Sequence, residues 1–335
     1  MPFDNFFIQH AYERVKKLGD PLVEFDQMID WKKFRPIISK IFVDKSKTGG
    51  RPNTDEVQIM KILFLQALYN LSDPQLEYQL CDRLSFRHFT GIQEEVPDFT
   101  TIWKIRNKLK KRGIDVEIWE ELQNQLDEQG FEIESGTIQD ATFVHSDVGR
   151  KRHHKEKKAK KNKENESREE LPSSSQIDRD ASFSVKYGQV HHGYKDHVKV
   201  DVDHGLVRDF YVTTASVHDN EIDLTTEGDI AMYRDKGYFG VPILADNVID
   251  KTMKRATRKR KLNGGEQKRN RCIASIHSPG ERVFSVVKGV FNGWYTKAKT
   301  IDRVMMKSMM KYFAFNVYQL RTLSRRKLAS AMYEW

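Results

Sequence analysis

Residues 137–144 read Thr-Ile-Gln-Asp-Ala-Thr-Phe-Val, a run of β-branched and aromatic residues set around one acid, Asp140. That composition predicts a β-strand packed into a sheet. A carboxylate inside such a strand is costly to desolvate unless a cation or hydrogen-bond donors compensate it. Two settings meet the requirement: an edge position open to water, or a pocket where further acids gather. Carboxylates in comparable positions elsewhere in the chain would favour the pocket.

Beyond residue 144 the chain becomes almost wholly charged. Residues 150–170 are basic first and acidic later, and Leu-Pro-Ser-Ser-Ser follows. This stretch cannot bury enough apolar surface to offset its ordering entropy, so a disordered insertion is expected at about 150–178. Its basic half could hold DNA electrostatically. Order is expected to resume at Phe183, and residues 194–202 and 206–213 predict an antiparallel hairpin turned by Asp203-His204-Gly205. A short helix is expected at 220–227. A strand at 229–233 hands over at Asp235 to Lys-Gly-Tyr-Phe-Gly. Carboxyl ends of strands are the usual address of ligand groups in mixed sheets.

Residues 241–261 predict a helix running into a basic cluster, and Asn263-Gly264-Gly265 a turn. Pro279-Gly280-Glu281 predicts the start of a helix over 281–290, with Val283, Phe284, Val286, Val287 and Val290 buried. Glu281, Ser285 and Lys288 follow one another on another face of it. An apolar and basic helix at about 303–323 closes the chain, leaving 326–335 as a tail.

Upstream of the strand, residues 1–130 read as an all-helical unit. Thr54 is an expected N-cap for a core helix over 57–71, and Ser72 or Asp73 for the next, with Pro74 in its first turn. Thr100 is expected to cap a helix with Trp103, Ile105 and Leu109 on one side and Lys104, Arg106 and Lys108 among the cations crowding the rest. A helical unit ending this way resembles a DNA-docking module in outline.

At 335 residues the chain can bury a sizeable core and spans about two domains. Its 57 Lys and Arg against 48 Asp and Glu leave it at +9, which favours a polyanionic partner. No run approaches the roughly 18 apolar residues of a membrane span. The N-terminus lacks a signal peptide's basic start and apolar core. Cys81 and Cys272 form neither a disulfide framework nor a metal-binding pair, as suits a reducing cytoplasm. Nucleic acid is therefore the expected partner, with no membrane.

Asp140 in a strand, Asp235 at a strand end and Glu281 on a helix can converge in an α/β layout, a mixed sheet flanked by helices. Phosphoryl chemistry on DNA uses such a cluster to hold two metal ions about 3.5–4 Å apart. Hard oxygen ligands suit Mg²⁺ or Mn²⁺ rather than zinc. With 48 acids available, spacing alone does not select this triple.

Five motifs in order carry a resemblance: Gln-Asp-Ala-Thr-Phe-Val, Gly-Tyr-Lys-Asp-His-Val, Val-His-Asp-Asn-Glu, Asp-Lys-Gly-Tyr-Phe-Gly and Glu-Arg-Val-Phe-Ser-Val-Val-Lys. Together they resemble the DDE transposases of prokaryotic insertion sequences, in particular family five, the InsH-type enzymes. The resemblance covers about residues 20–325, and residues 30–109 are similar to that family's helical N-terminal domain. It implies an RNase H-like catalytic core at 131–325 behind a DNA-binding helical domain at 1–130, with Asp140, Asp235 and Glu281 as catalytic, metal-binding triad. It also implies cleavage at terminal inverted repeats, attack of the freed 3′-hydroxyl on target DNA, at least two subunits at the two element ends, and a nucleoid-associated location.

Lys288 matches the lysine that the family carries seven positions after its glutamate, where a cation can hold a phosphate. His277, Lys236, Tyr194 and Lys195 are the further expected DNA contacts. One departure stands out. The family places a tyrosine and an arginine seven and four positions before the glutamate, and this chain has Ala274 and His277 there. Histidine is a weaker, pH-dependent phosphate ligand. The departure leaves two other readings open, a catalytically impaired DNA-binding descendant and a hydrolytic nuclease of the same fold. His191, His192, His197 and His204 lack a zinc-site pattern, and His218-Asp219 is expected to cap the next helix.

Overall fold

In the computed structural model, residues 3–42, 53–93, 95–149, 177–186 and 188–333 are described. The charged run at 150–176 lies outside the described residues. Eight helices come first: α1 (Phe3–Lys17), α2 (Pro21–Met28), the single turn α3 (Arg35–Ile38), α4 (Glu56–Leu68), α5 (Asp73–Asp82), α6 (Leu84–Thr90), α7 (Phe99–Lys111) and α8 (Ile114–Glu128). Their boundaries follow local chemistry. Asp55, not Thr54, caps α4 by accepting the Val57 and Gln58 N–H groups, and a Ser72–Gln75 capping box starts α5. Asp98 takes the place expected for Thr100 at α7, accepting the Thr101 N–H at 2.7 Å. In both corrected cases a carboxylate outcompetes a neighbouring hydroxyl for the free N–H groups and their positive end.

The strands are β1 (Thr137–Ser146), β2 (Ser182–Lys186), β3 (Gln189–Asp201), β4 (Val207–Thr214), β5 (Ala231–Arg234), β6 (Ile249–Thr252) and β7 (Tyr295–Thr296). They form one mixed sheet in the order β4–β3–β1–β5–β6, with β2 sharing the β4 side of β3 and β7 pairing the far end of β1. β3 runs antiparallel to both β1 and β4, whereas β5 and β6 run parallel to β1. This is an RNase H-like α/β core behind a helical N-terminal region.

Three sequence expectations change. Residues 241–261 hold no helix but the edge strand β6, because Ile249–Thr252 satisfy their backbone groups by pairing with β5. Residues 220–227 contain only a 3₁₀ turn, Asp219–Glu221. The helix expected to begin at Glu281 begins much earlier, as α9 (Gly264–Ser285), and a π segment, Val286–Val290, continues it. An Asn263–Glu266 capping box starts α9. Buried Ile273, His277, Val283 and Val287 then lay it against the sheet. A proline inside a helix costs about 3 kcal/mol; here the packing of that stripe carries the backbone through residue 279.

The last helix, α10 (Ile301–Tyr333), runs through the stretch expected as a tail. It lies between β4 and the N-terminal helices α2, α4, α7 and α8. Among the described residues no helix is long and apolar enough to cross a membrane.

Candidate active site

Strand register sets up the site. Gln139 of β1 pairs with Arg234 of β5 in parallel, the last rung of that pairing, and Asp140 and Asp235 are the residues that follow it on each side. Neighbouring strands lie about 4.8 Å apart. The two carboxylates feel one another. Burial pushes the Asp140 carboxyl up to about 6, and the charge of Asp235 adds to the rise, while the His277 ring and the Ala141 N–H oppose it. Asp235 is fixed by its own turn, accepting the Gly237 N–H on Oδ1 at 2.6 Å as cap of the 3₁₀ turn Lys236–Tyr238.

That turn swings Tyr238 beneath the acids. The ring is buried, and its hydroxyl has no hydrogen-bond partner among the described residues. Burial, then the fields of Asp140, Asp219 and Asp235, raise its proton affinity well above the ordinary phenol range. Behind it lies fully buried Arg234, which donates to Thr252 Oγ1 at 2.9 Å and to the Val241 carbonyl at 3.0 Å. The guanidinium stands 5.7 Å from the Tyr238 ring centre. Neither residue's role was assigned from sequence, although Tyr238 sits in the quoted Asp-Lys-Gly-Tyr-Phe-Gly motif.

Helix α9 brings the third wall. A Cβ on Gly280 would come within 2.9 Å of Ile138 Cγ2, so only glycine lets the helix lie this close to β1. One turn before Glu281, His277 is buried beside Asp140, and its Nε2 has no hydrogen-bond partner among the described residues. Glu281 itself is exposed. Among the described residues no three His, Cys, Asp or Glu side chains form a metal-holding set, so the acid triple is not closed. Lys288, in the π segment, is half-buried; burial lowers its proton affinity, against the opposing charges of Asp196 and Asp140.

The remaining expected contacts divide. Lys104, Lys108 and Lys236 are exposed. Tyr194 is not on the surface: it is fully buried and donates to Asp178 at 2.6 Å. Lys195 is also internal, bonded to the Val217 carbonyl at 2.6 Å and paired with Asp219 at 2.7 Å. Although burial opposes it, Lys195 holds the Asp219 carboxyl below its ordinary range. Asp219 thus anchors a lysine as well as opening a turn. Arg106 grips Asp73 with two bonds, at 2.6 and 2.9 Å, which neutralises it.

The aspartate pair fits a hard divalent cation. Two carboxylates side by side, one of them buried, oppose each other's ionisation until a positive charge is set between them.

Comparison with protein families agrees with this geometry. A model described as "Transposase DDE domain" matches residues 134–317, more than half of the chain. One described as "Transposase domain (DUF772)" matches residues 9–108. No solved structure matches the chain. With the matched segment enclosing Asp140, Asp235 and the whole sheet, the chain belongs to the DDE transposases, metal-dependent enzymes that cut and transfer DNA.

Proposed function

We propose that this transposase belongs to insertion-sequence family five, binds the terminal inverted repeats of its element and joins the freed 3′-hydroxyl ends to target DNA. Asp140, Asp235 and Glu281 are its metal ligands in this reading, Asp140 and Asp235 from the sheet and Glu281 from α9. The observation that supports it is that Asp140 and Asp235 directly follow the paired Gln139 and Arg234 of adjacent parallel strands, and that the charge of Asp235 acts on Asp140. Bound Mg²⁺ or Mn²⁺ supplies activation of the attacking oxygen and relief of charge on the leaving one.

The chain's own side chains do the rest. The His277 ring beside Asp140 favours the ionised form of that acid. Lys288, which feels the charges of Asp196 and Asp140, holds a phosphate next to the scissile bond. Tyr238 is placed to donate a hydrogen bond into the acid pair. The helical region 1–130, with Lys104 and Lys108 outward on α7, and the exposed Lys236 contact duplex DNA in the cytoplasm, and two copies act on the two ends.

The exposure of Glu281 favours one second reading, a DNA-binding descendant that no longer cuts. A labelled terminal-repeat duplex with Mg²⁺ separates the two. Nicking followed by joining, both abolished by Asp140→Asn, Asp235→Asn and Glu281→Gln with binding retained, supports the transposase. Binding without nicking supports the descendant. Full cleavage by Glu281→Gln removes that residue from the ligand set.

A further inference from the structure

Between the N-terminal helices α4, α5 and α7 and the start of α10 lies an open cleft of about 460 Å³. Six cations line it: Arg106, Lys297, Lys299, Arg303, Lys307 and Lys311. The one acid on its wall, Asp73, is spent on Arg106. Lys311 is partly answered by Asp196 at 3.4 Å, an acid that Ser308 and Tyr312 also hold. Among the described residues no carboxylate pairs with Lys297, Lys299, Arg303 or Lys307. Folding has therefore drawn four cations without an ion pair around one hollow, with only the field of Asp73 acting on Lys307, a repulsive arrangement that an anion would relieve.

Lys307 registers the strain. Burial first, then the charges of Lys311 and Arg106, push its ammonium down to about 8 against the opposing charge of Asp73. The cleft also carries an aromatic platform. Trp103 is 41% exposed at its rim, with the Arg303 guanidinium 5.5 Å from its ring centre, and Tyr295 stands on the same wall. Cations interleaved with exposed rings are the features that hold a nucleic-acid strand, phosphates on the charges and bases on the rings. The volume suits one or two nucleotides rather than a duplex.

The cleft also leads to the candidate active site. Tyr295 pairs with His145, five residues along β1 from Asp140, a distance of about 17 Å at about 3.3 Å per residue. Lys311 lies on the way, since its partner Asp196 pairs across the sheet with Thr142. We propose that this cleft grips the phosphodiester backbone of a single DNA strand end as it passes to the Asp140–Asp235 pair, with a base stacked on Trp103. The proposal rests on the reading of this chain as a DNA-cutting transposase and adds where the strand is held.

The test is the triple variant Lys297→Gln, Arg303→Gln, Lys307→Gln in the full chain, with glutamine chosen because it supports helix nearly as well as lysine. Binding of a labelled terminal-repeat duplex with a frayed single-stranded end is measured by anisotropy across a salt series. A loss of about tenfold or more, with the slope of log affinity against log salt shallower by about two to three, is expected. A control, Lys327→Gln on an exposed position of α10 outside the helical region 1–130, should leave both unchanged. In the unmodified protein, a strand carrying bromodeoxyuridine should cross-link under ultraviolet light to Trp103 or Tyr295, which requires no variant to fold. Unchanged affinity and slope in the triple variant, with cross-links falling elsewhere, overturn the cleft. If the unmodified protein still nicks and joins DNA in that case, the transposase reading survives alone. Cleft cross-links and a lost slope without any nicking would uphold the cleft and sink the cutting reaction.

Discussion

At the residue scale, the candidate site holds a pair of acids in mutual tension. Asp140 ionises at about 6 rather than its ordinary 3.8 because it is buried, with Asp235 adding to the rise. The sign of the consequence follows directly. The folded chain keeps a proton on Asp140 that the unfolded chain releases, so stability falls as pH rises through that window and the penalty is complete above it. The shift is worth ~3 kcal/mol at full ionisation. Without metal, Asp140→Asn should therefore melt several degrees higher than the parent at pH 8, and the advantage should vanish near pH 4. Mg²⁺ should raise the melting temperature of the parent more than that of the variant. Scanning calorimetry at the two pH values checks both, and a variant less stable than the parent at pH 8 would contradict the strained pair. Asp140 drew notice in the sequence because a lone acid among β-branched neighbours demands compensation, and Asp235 because a strand ends there. Tyr194 and Lys195 misled because β3 is a central strand covered on both faces, where polar letters are buried as readily as apolar ones. Arg106 misled for a different reason, since its partner Asp73 lies on another helix and no local pattern announces the pair.

At the element scale, α9 decides how near the third acid comes to the pair. The order and kind of the β-strands were readable from alternation and turn residues, apart from the short β2, β6 and β7, whose backbone pairing no composition reveals. The start of α9 was misread because Pro-Gly ordinarily ends or opens a helix. Here the Asn263 capping box and the buried stripe through Ile273, His277 and Val283 outweigh that local preference. Gly280 is the contact that tests this account. Replacing a helical glycine by alanine ordinarily stabilises by about 1 kcal/mol. At Gly280 the new methyl would meet Ile138 Cγ2 at 2.9 Å, on a branched side chain fixed in the core. Gly280→Ala should therefore destabilise the protein and slow DNA nicking by lifting α9 from β1. In an Ile138→Ala background the same change should be neutral or stabilising, a coupling of about 1 kcal/mol or more. Urea titrations of the four proteins measure that coupling. Additive effects would mean that the helix is not seated on β1 through residue 280.

At the scale of the whole molecule, the two matched family segments share one interior. A single apolar cluster runs from Leu22 and Phe64 of the N-terminal helices through Phe313 and Leu320 of α10 to Ile138 and Val198 of the sheet. Phe313 is its hinge point, with ring centres 6.2 Å from Trp31, 5.6 Å from Phe34 and 6.4 Å from Phe64. Glu24 adds a polar tie, accepting from Arg321 at 2.8 Å and from Arg325 at 2.7 Å. Hydrogen bonds from these two arginines hold its carboxyl down at about 2. That tie contributes above the ordinary glutamate range and is lost as pH falls through about 4.5 towards 2. Sequence reading found the helices on either side of the sheet but not this shared core, because α10 reaches it from some 250 residues beyond α4 and periodicity carries no pairing information. Phe313→Ala should cost about 3–5 kcal/mol, the usual penalty for an emptied aromatic site. Because the ring belongs to both halves, the loss should lower the unfolding of both together. Far-ultraviolet dichroism follows the helices, while the fluorescence of Trp294, beyond the end of α9, reports on the sheet side once Trp31, Trp103, Trp119 and Trp335 are replaced by Phe. Coincident transitions, displaced by the same amount in the variant, are the expected result. A sheet-side transition that stays put while the helical signal falls would show two independent units, and would remove the reason for placing a DNA-holding cleft at a fixed distance from the acids.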